Sequence, residues 1–342
     1  MISQGEEMER ILITGANGFI GSNLCSYFVD HSYEVYGLVR ETSDLHFLEG
    51  LPVTLVKGDL ARKDGINLPS SIHYVIHAAS LVMDDVPMDR ARRNILDTTV
   101  NLVQALEEKG VRLKRFLYIS TGLVLGHRSR RISEENRGRP ARGNMSYTRA
   151  KELAEEYLRG KHRETGLPVV ILRPTDVFGP NDRTSSLRIL SGIESGWPTL
   201  AGTGRRILSF CYVGNIAKAC HLACQMRGRD GSAYTVTNGQ DITWRQLMGY
   251  FQLHLGRPQR VHVPLFAAYA LAVFMQALHA VVPSREALLT WYRVSKLGRD
   301  TSYDISRTME ELGYQPDQDL DRQLETIMEW YAREKSFSPG GR

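Results

Sequence analysis

Residues 11–21 read Ile-Leu-Ile-Thr-Gly-Ala-Asn-Gly-Phe-Ile-Gly, an apolar, β-rich run that leads into a glycine-rich turn. The following residues, 19–30, repeat apolar side chains at helical spacing, so the stretch predicts a strand, a turn and a helix. Glycines at such a turn let the backbone approach a pyrophosphate, which the N–H groups of the helix terminus bind. The spacing G-x-x-G-x-x-G is wider than the usual dinucleotide motif, so a turn that only packs helix on strand stays the alternative.

Tyr147 and Lys151 stand at helical spacing farther along the chain. Residues at i and i+4 project from the same face of a helix. Because an ammonium group next to a phenol favours the phenolate, we expect Lys151 to lower the pKa of Tyr147. The pair alone is a weak signal, since a solvated helix face carries the same residues by chance. Together with the glycine-rich turn, it predicts a proton-transfer pair beside a hydride carrier.

The composition is that of an ordinary globular chain: 342 residues, 42% apolar and 24% charged, with a net charge of +5. The four cysteines form no Cys-x-x-Cys pair and no cluster with histidine, so we predict no metal site and a cytoplasmic location. The acidic start of the chain lacks the apolar segment of a signal peptide. The arginine-rich stretch 128–142 has no interleaved aromatic residues, so we expect no nucleic-acid partner.

Apolar, β-rich runs alternate with helical patterns over the first half of the chain. The predicted strands are 10–14, 34–39, 53–57, 73–77, 114–119 and 168–172, and the predicted helices are 19–30, 89–109 and 145–164. This alternation is typical of a parallel sheet with helices on both faces. We therefore predict an α/β fold, a Rossmann-type doubly wound parallel sheet, with a smaller, mostly helical C-terminal substrate domain after Pro180.

Several short motifs follow one another in a fixed order. They are Thr14-Gly15-Ala16-Asn17-Gly18-Phe19-Ile20-Gly21, Gly58-Asp59-Leu60, His77-Ala78-Ala79-Ser80, Tyr118-Ile119-Ser120-Thr121, Tyr147 with Lys151, Arg173-Pro174, Phe178-Gly179-Pro180 and Leu312-Gly313-Tyr314-Gln315-Pro316. With these motifs the chain resembles the extended short-chain dehydrogenases/reductases of the NAD-dependent epimerase/dehydratase superfamily. The resemblance implies an NAD(P)-binding Rossmann domain at 9–180 plus about 211–240, a substrate domain at 181–210 and 241–333, and flexible tails at 1–8 and 336–342.

The resemblance also implies roles for individual residues. Tyr147 is the general acid or base, Lys151 also binds the nicotinamide ribose, and the hydroxyl of Thr121 or Ser120 binds the substrate oxygen. The implied cofactor contacts are Gly15, Gly18, Phe19, Ile20, Gly21, Arg40, Asp59, Leu60, Ala78, Ala79, Ser80, Tyr147, Lys151, Pro174 and Val177. The implied substrate contacts are Leu81, Val82, Gly122, Leu123 and Phe178. Asn94 matches a family asparagine, but Asp97 replaces the usual glycine, which leaves its role open.

The choice of cofactor depends on the end of the second predicted strand. Relatives that prefer NAD place an acid there, whereas this chain has Val39 followed by Arg40. A guanidinium group suits the 2′-phosphate of NADP, so we predict NADP(H) in preference to NAD(H). The alternative is that Arg40 is solvated and that Glu41 or Asp44 contacts the ribose.

The substrate class is inferred from one replacement. Nucleotide-sugar enzymes of the family place an arginine two residues before the Phe of a Phe-x-Tyr-Val motif, and Leu208 stands there in this chain. The resemblance therefore implies an NAD(P)(H)-dependent oxidoreductase that interconverts a secondary alcohol and a ketone on an apolar, steroid-, lipid- or polyketide-like substrate, as in the 3β-hydroxysteroid dehydrogenase and dihydroflavonol reductase branches. A nucleotide-sugar epimerase or dehydratase with retained NAD(P), and a cofactor-sensing binding protein, stay as alternatives.

The segment 264–283 is nearly uncharged and has proline at both ends. It barely reaches the ~18–20 residues that a membrane-spanning helix needs, and Gln276 and His279 count against spanning. Four interpretations are left: a buried helix, a homodimer contact, the lining of an entrance for a lipid-like substrate, or a peripheral contact with a membrane. The arginines of 128–142 and the positive net charge suit an anionic lipid surface.

Overall fold

The structure, a computed structural model, describes residues 8–62, 65–69, 71–80, 86–140, 145–197, 200–257, 262–281 and 290–337. Its strands are β1 Arg10–Thr14, β2 Glu34–Val39, β3 Val53–Lys57, β4 Tyr74–His77, β5 Arg115–Ile119, β6 Val169–Pro174, β7 Asp176–Phe178, β8 Leu200–Ala201, β9 Ile207–Tyr212, β10 Ala233–Val236, β11 Asp241–Thr243 and β12 His262–Val263. Its helices are α1 Phe19–Asp30, α2 Met88–Arg92, α3 Thr98–Glu108, α4 Met145–Thr165, α5 Ser186–Glu194, α6 Val213–Gln225, α7 Trp244–His254, α8 Leu265–Val281, α9 Trp291–Leu297, α10 Ser306–Leu312 and α11 Leu320–Phe337.

Seven parallel strands form the main sheet, in the order β10-β6-β5-β4-β1-β2-β3. The order reverses between β1 and β4, which is the point where doubly wound sheets bind ligands at the carboxyl ends of their strands. Ile11, Leu12 and Ile13 of β1 are fully buried, as expected for a strand covered on both faces. One apolar core lies between the sheet and α1 with α6, and the other lies between the sheet and α3 with α4. The predicted doubly wound parallel sheet is confirmed.

The later part of the chain adds two small sheets and a third apolar core. The sheets have the orders β11-β9-β7 and β12-β8. The core packs α5, α7 and α11 together through Leu190, Leu247 and Ile327. This region is mostly helical, as predicted, whereas the exact division into two interleaved domains stays a prediction. Helix α11 extends through Phe337, so the first residues of the predicted C-terminal tail are helical.

Candidate active site

The glycine-rich turn joins β1 to α1 at the reversal point of the sheet. Gly15 has a φ of +66°, and a Cβ atom on it would lie 2.8 Å from the Cα atom of Ala79. A Cβ atom on Gly21 would lie 2.0 Å from the carbonyl oxygen of Gly15. Gly18 precedes α1, and no side chain caps the first turn of the helix. The turn therefore leaves backbone N–H groups for an anion, and its donor set fits the pyrophosphate of a dinucleotide.

A series of buried hydrogen bonds between side chains lies beneath this turn. The hydroxyl of Thr14 lies 2.7 Å from Nδ1 of His77, and Nε2 of His77 lies 3.1 Å from the hydroxyl of Thr99. Thr14 also accepts a hydrogen bond of 3.1 Å from the backbone N–H of Ala79. These contacts connect β1, β4 and α3 directly beneath the turn. Sequence reasoning had noted His77 only as part of a motif and had not given it this positioning role.

Tyr147 and Lys151 lie on α4, and both side chains are buried. The Lys151 Nζ donates a hydrogen bond of 2.7 Å to the carbonyl oxygen of Ile119 at the end of β5. The same Nζ lies 4.8 Å from the ring centre of Tyr118 and 5.9 Å from that of Tyr147. The predicted pair is therefore brought together at the carboxyl edge of the sheet.

The pKa of Tyr147 differs from the sequence-based expectation. Burial raises the pKa of the Tyr147 phenol above its usual value, with a further contribution from Tyr292. Lys151 does not offset this effect, because burial lowers the pKa of Lys151 to about 7 and its Nζ is bonded to the Ile119 carbonyl. The expected lowering of the Tyr147 pKa by Lys151 is thus wrong for this structure. A pKa of about 7 does leave Lys151 able to exchange a proton near neutral pH.

Ser120 and Thr121 follow β5, and the structure gives them different tasks. Thr121 begins a 3₁₀ turn at Gly122–Leu125, and its hydroxyl oxygen accepts a hydrogen bond of 3.3 Å from the Leu123 N–H. The Ser120 hydroxyl donates to the Glu155 carboxylate at 2.6 Å. Ser120 is therefore held by Glu155, and Thr121 stays the predicted hydroxyl for a substrate oxygen.

Glu155 is the centre of a buried ionic cluster that sequence reasoning missed. Its carboxylate accepts hydrogen bonds from Arg173 at 2.9 and 2.5 Å and lies 3.2 Å from a guanidinium nitrogen of Arg159. Arg173 also forms an ion pair with Glu134. Burial by itself would raise the pKa of Glu155. The hydrogen bonds from Arg173 and Ser120 outweigh burial, so the net pKa is below its usual value and the carboxylate is charged. The available signal was the spacing of Glu155, one helical turn after Lys151 on the same face of α4.

Arg40 follows the end of β2 and is exposed. Its backbone N–H donates to the hydroxyl of Ser43 at 3.1 Å, and the Ser43 N–H donates back to its carbonyl oxygen. Within the part of the chain that the structure describes, the Arg40 guanidinium has no ion pair. Val39, at the place of the acid in NAD-preferring relatives, is buried.

Both acids that were alternatives to Arg40 have cationic partners. Glu41 lies 4.0 Å from the Lys57 ammonium group. The Asp44 carboxylate accepts a hydrogen bond of 2.9 Å from Arg183. The hydrogen bond from the His46 N–H lowers the pKa of Asp44 most, and the bond from Arg183 lowers it further.

Most of the other predicted cofactor residues lie at or just after the carboxyl ends of strands of the main sheet, and so at one edge of it, whereas Val177 lies in a separate small sheet. Asp59 and Leu60 follow β3, Ala78, Ala79 and Ser80 follow β4, Pro174 ends β6 and Val177 lies in β7. The Asp59 carboxylate accepts from the Ala61 N–H at 3.0 Å, and the carbonyl oxygen of Leu60 accepts from Asn101 at 2.8 Å. Their placement agrees with the predicted roles, which stay predictions.

The predicted substrate residues have mixed outcomes. Leu123 lines a small cavity beside Thr121, and a Cβ atom on Gly122 would lie 3.3 Å from the Tyr303 ring. Phe178 instead packs in the third apolar core, with its ring centre 6.1 Å from that of Phe210, so it is a core residue in this structure.

Three further predictions concern residues elsewhere. Leu81 and Val82 lie outside the described residues. Asn94 lies in a π-helical turn, Arg93–Asp97, and donates a hydrogen bond of 2.8 Å to the Arg90 carbonyl oxygen, which occupies its amide locally.

Helix α8 is apolar but not buried. Phe266 is 78% exposed and Phe274 is 64% exposed, while the small residues Ala268 and Ala272 are buried. Those alanines pack with Val294 of α9. For the described part of 264–283, the interpretation as a buried helix is therefore wrong. Among the described helices, none has an apolar stretch of the length that spanning a membrane requires.

The comparisons with known proteins agree with this geometry. The family model of the NAD dependent epimerase/dehydratase family matches residues 11–237. A 3-beta-hydroxysteroid dehydrogenase from Mycolicibacterium neoaurum is 26% identical, over 91% of this chain and 88% of its own. A 4-hydroxy-2-methyl-3-oxo-4-farnesyl-3,4-dihydroquinoline-1-oxide ketoreductase from Stigmatella aurantiaca is 27% identical, over 89% and 91%.

Among solved structures, a UDP-glucuronic acid 4-epimerase from Bacillus cereus in complex with NAD has a TM-score of 0.73 and 20% identity. The match covers 97% of this chain and 99% of the epimerase, and it shows a shared fold. The matched residues include the glycine-rich turn, Tyr147 and Lys151. The chain belongs to the NAD dependent epimerase/dehydratase family.

Proposed function

We propose that this enzyme is an NADP(H)-dependent oxidoreductase that interconverts a secondary alcohol and a ketone on an apolar substrate. The observation that carries the proposal is the buried pair of Tyr147 and Lys151 at the carboxyl edge of the sheet. The glycine-rich turn opens at the same edge. Relatives named as a hydroxysteroid dehydrogenase and a ketoreductase support the same class of reaction.

When bound, the nicotinamide cofactor would supply or accept the hydride. The backbone N–H groups of Phe19 and Ile20 would hold its pyrophosphate at the start of α1, while the Gly18 N–H donates to the Gly15 carbonyl oxygen and fixes the turn. During ketone reduction, the Tyr147 hydroxyl gives its proton to the carbonyl oxygen, and it takes the proton back during alcohol oxidation. The Thr121 hydroxyl donates a hydrogen bond to the same oxygen and orients it.

Lys151 and the Glu155 cluster hold this arrangement. Lys151 is fixed to the end of β5 by its bond to the Ile119 carbonyl, and a pKa of about 7 lets its ammonium group take part in proton exchange near neutral pH. Glu155 holds Ser120, the residue before Thr121, and it is itself fixed by Arg173. Because these groups are buried, the site excludes water from the proton transfer.

The preference for an apolar substrate is supported by the surroundings of Leu208. This residue is buried in β9, where it pairs with Ile242 of β11. Arg205 and Arg206, which could replace the arginine of the nucleotide-sugar enzymes only if the loop shifted, are both exposed, and Arg206 lies 3.9 Å from the Asp300 carboxylate. The segment thus offers a nucleotide pyrophosphate no arginine at the Leu208 position.

The preference for NADP(H) is supported by the loop after β2. Arg40 is exposed and has no carboxylate partner among the described residues, whereas Glu41 and Asp44 face Lys57 and Arg183. The turn between Arg40 and Ser43 puts a hydroxyl next to the guanidinium-bearing residue. Both are groups that bind a 2′-phosphate.

We also propose that α8 lies against a membrane surface. Its exposed Phe266 and Phe274 lie on the same helix as Tyr269, whose ring centre is 5.7 Å from that of Trp291. Aromatic residues at the border of an apolar face are typical of peripheral contacts with lipid.

The function is tested by identifying the cofactor that the purified protein retains and by assaying turnover. Mass spectrometry should find NADP that exchanges freely, and NADPH absorbance should fall when 2-decanone or a 3-ketosteroid is added. Tightly retained NAD, together with interconversion of UDP-glucose and UDP-galactose without net change in NAD, would instead establish an epimerase and overturn the proposal.

A further inference from the structure

His127 is a buried histidine with one ring nitrogen that has no partner. Its side chain is 2% exposed, and its Nδ1 lies 2.9 Å from the carbonyl oxygen of Arg139. A carbonyl oxygen can only accept, so Nδ1 carries the hydrogen and Nε2 presents a lone pair. Nε2 is buried and has no hydrogen-bond partner among the described residues. Burial lowers the pKa of His127 to about 4, so the ring is neutral at pH 7.

A charge-neutral ion pair lies beside this histidine. The Lys296 ammonium group of α9 pairs with the Asp176 carboxylate of β7, and each of these charges affects the pKa of His127. The hydroxyl of Thr175 is a second buried group without a hydrogen-bond partner in the described part of the chain. Buried polar groups are nearly always hydrogen-bonded in folded proteins, so two such groups close together indicate a place for a polar ligand atom.

These groups surround one cavity, and Thr121 forms part of its wall. The cavity has a volume of about 40 Å³ and is lined by Thr121, Leu123, His127, Thr175, Asp176, Lys296, Thr301 and Tyr303. A volume of this size holds a small group of one or two non-hydrogen atoms and no extended chain. Because the Thr121 hydroxyl is placed to bind the reacting oxygen, the cavity receives an atom of the substrate that lies near the carbonyl carbon.

We infer that this cavity binds a second hydroxyl group of the substrate, close to the carbonyl that is reduced. The substrate hydroxyl donates a hydrogen bond to the His127 Nε2, and its oxygen accepts a hydrogen bond from Lys296 or Thr175. A carboxylate is a poor ligand here, since Asp176 neutralises Lys296 and His127 presents a lone pair. The inference rests on the proposed oxidoreductase function and narrows its substrate to apolar hydroxyketones and the corresponding diols.

The first test compares hydroxyketones with a plain ketone. The kcat/KM for NADPH-dependent reduction is measured for 2-decanone, 3-hydroxy-2-decanone and 4-hydroxy-2-decanone. We expect at least one hydroxyketone to exceed 2-decanone by about tenfold, the effect of pairing otherwise unsatisfied buried groups. In His127→Phe this ratio should fall to near one.

The control is His254→Phe. His254 has the same contact between Nδ1 and a carbonyl oxygen, at 2.9 Å, but lies exposed on α7. It should keep the wild-type ratio. An unchanged hydroxyketone-to-ketone ratio in His127→Phe would overturn the inference. A general loss of activity does not affect this test, because each ratio compares two substrates of the same variant.

A second variant tests the role of charge. Asp176→Asn removes the negative charge that pairs with Lys296 while it keeps the shape of the side chain. We expect it to raise kcat/KM for 3-oxodecanoate relative to 2-decanone by about tenfold or more, since the cavity loses the negative charge that repels a carboxylate. A wild-type enzyme that already prefers 3-oxodecanoate to the hydroxyketones would contradict the assignment.

Failure of the proposed function can be told apart from failure of the subsite. If wild-type protein reduces none of these ketones, the oxidoreductase proposal is wrong, and the subsite is then judged by thermal shift with NADP. The subsite would be supported if 4-hydroxy-2-decanone raised Tm more than 2-decanone does, and if His127→Phe abolished this difference. Equal shifts for the two compounds would overturn it.

Discussion

The parallel sheet and helix α8 use apolar residues in opposite ways. In β1 the apolar side chains are fully buried between two layers of helices, whereas in α8 Phe266 and Phe274 face outward and the small Ala268 and Ala272 face inward. The sheet and the helices packed on it hold the candidate catalytic side chains at fixed positions, because the apolar surface between them is buried in close packing. The apolar surface of α8 is left for contacts outside the chain's own core. Four substitutions test this contrast.

The largest effect is expected from Glu155→Ala, on the sheet side. The substitution leaves Arg173 buried without its main carboxylate partner, and breaking a buried ion pair in this way costs about 3–5 kcal/mol of the free energy of unfolding. Urea unfolding followed by circular dichroism measures the loss. Glu156→Ala is the matched control. The Glu156 carboxylate forms a surface ion pair with Arg149, so this substitution should cost about 0–1 kcal/mol. Equal losses would show that the cluster does not stabilise the sheet edge.

Tyr147→Phe should reduce kcat roughly 10²-fold or more, because it removes the group that transfers the proton. The fold and the affinity for cofactor should stay, since only a hydroxyl is lost. Steady-state kinetics and cofactor titration measure the two properties. Tyr157→Phe, on the same helix, removes another buried hydroxyl and should keep most of the activity. Full activity in Tyr147→Phe would refute the catalytic assignment.

Arg40→Ala should weaken NADP(H) binding by about 1.5–3 kcal/mol, the contribution of a charge-assisted hydrogen bond, and should leave NAD(H) binding nearly unchanged. Isothermal titration with both cofactors measures the difference. Arg62→Ala, an exposed arginine after β3, should alter neither affinity. If both cofactors lose affinity equally in Arg40→Ala, this residue does not distinguish the 2′-phosphate.

Phe274→Asp should have the smallest effect on stability. Its side chain is exposed, so Tm should stay near the wild-type value, while binding to vesicles that contain phosphatidylserine should weaken. Ala272→Asp on the same helix is the contrasting variant, because a carboxylate at this fully buried position destabilises by about several kcal/mol. Vesicle flotation and thermal melting give the two readouts. Unchanged vesicle binding by Phe274→Asp would leave α8 without a role at a membrane.

The contrast also shows where reasoning from sequence succeeds. The strand and helix on either side of the turn at Gly15, and the helix that carries Tyr147, have strong periodicity. Their order and approximate bounds could therefore be predicted from the sequence. In α8 the same reasoning identified an apolar helix but left its surroundings open. Periodicity indicates which residues could be buried, and only the neighbouring elements determine which ones are.

The sequence by itself determined the strand–turn–helix at residues 11–30, the alternation of strands and helices that is typical of a parallel sheet, and the helical spacing of Tyr147 and Lys151, because each is a pattern of residues near one another in the chain. The tertiary structure decided the rest. It brought Asp176 and Lys296 together across a long stretch of sequence, placed Phe178 in the core and gave Glu155 its buried arginine partner. It also raised the pKa of Tyr147 where the sequence had indicated a lowered value. Burial and long-range ion pairs depend on how separate elements pack, and no local pattern encodes that packing.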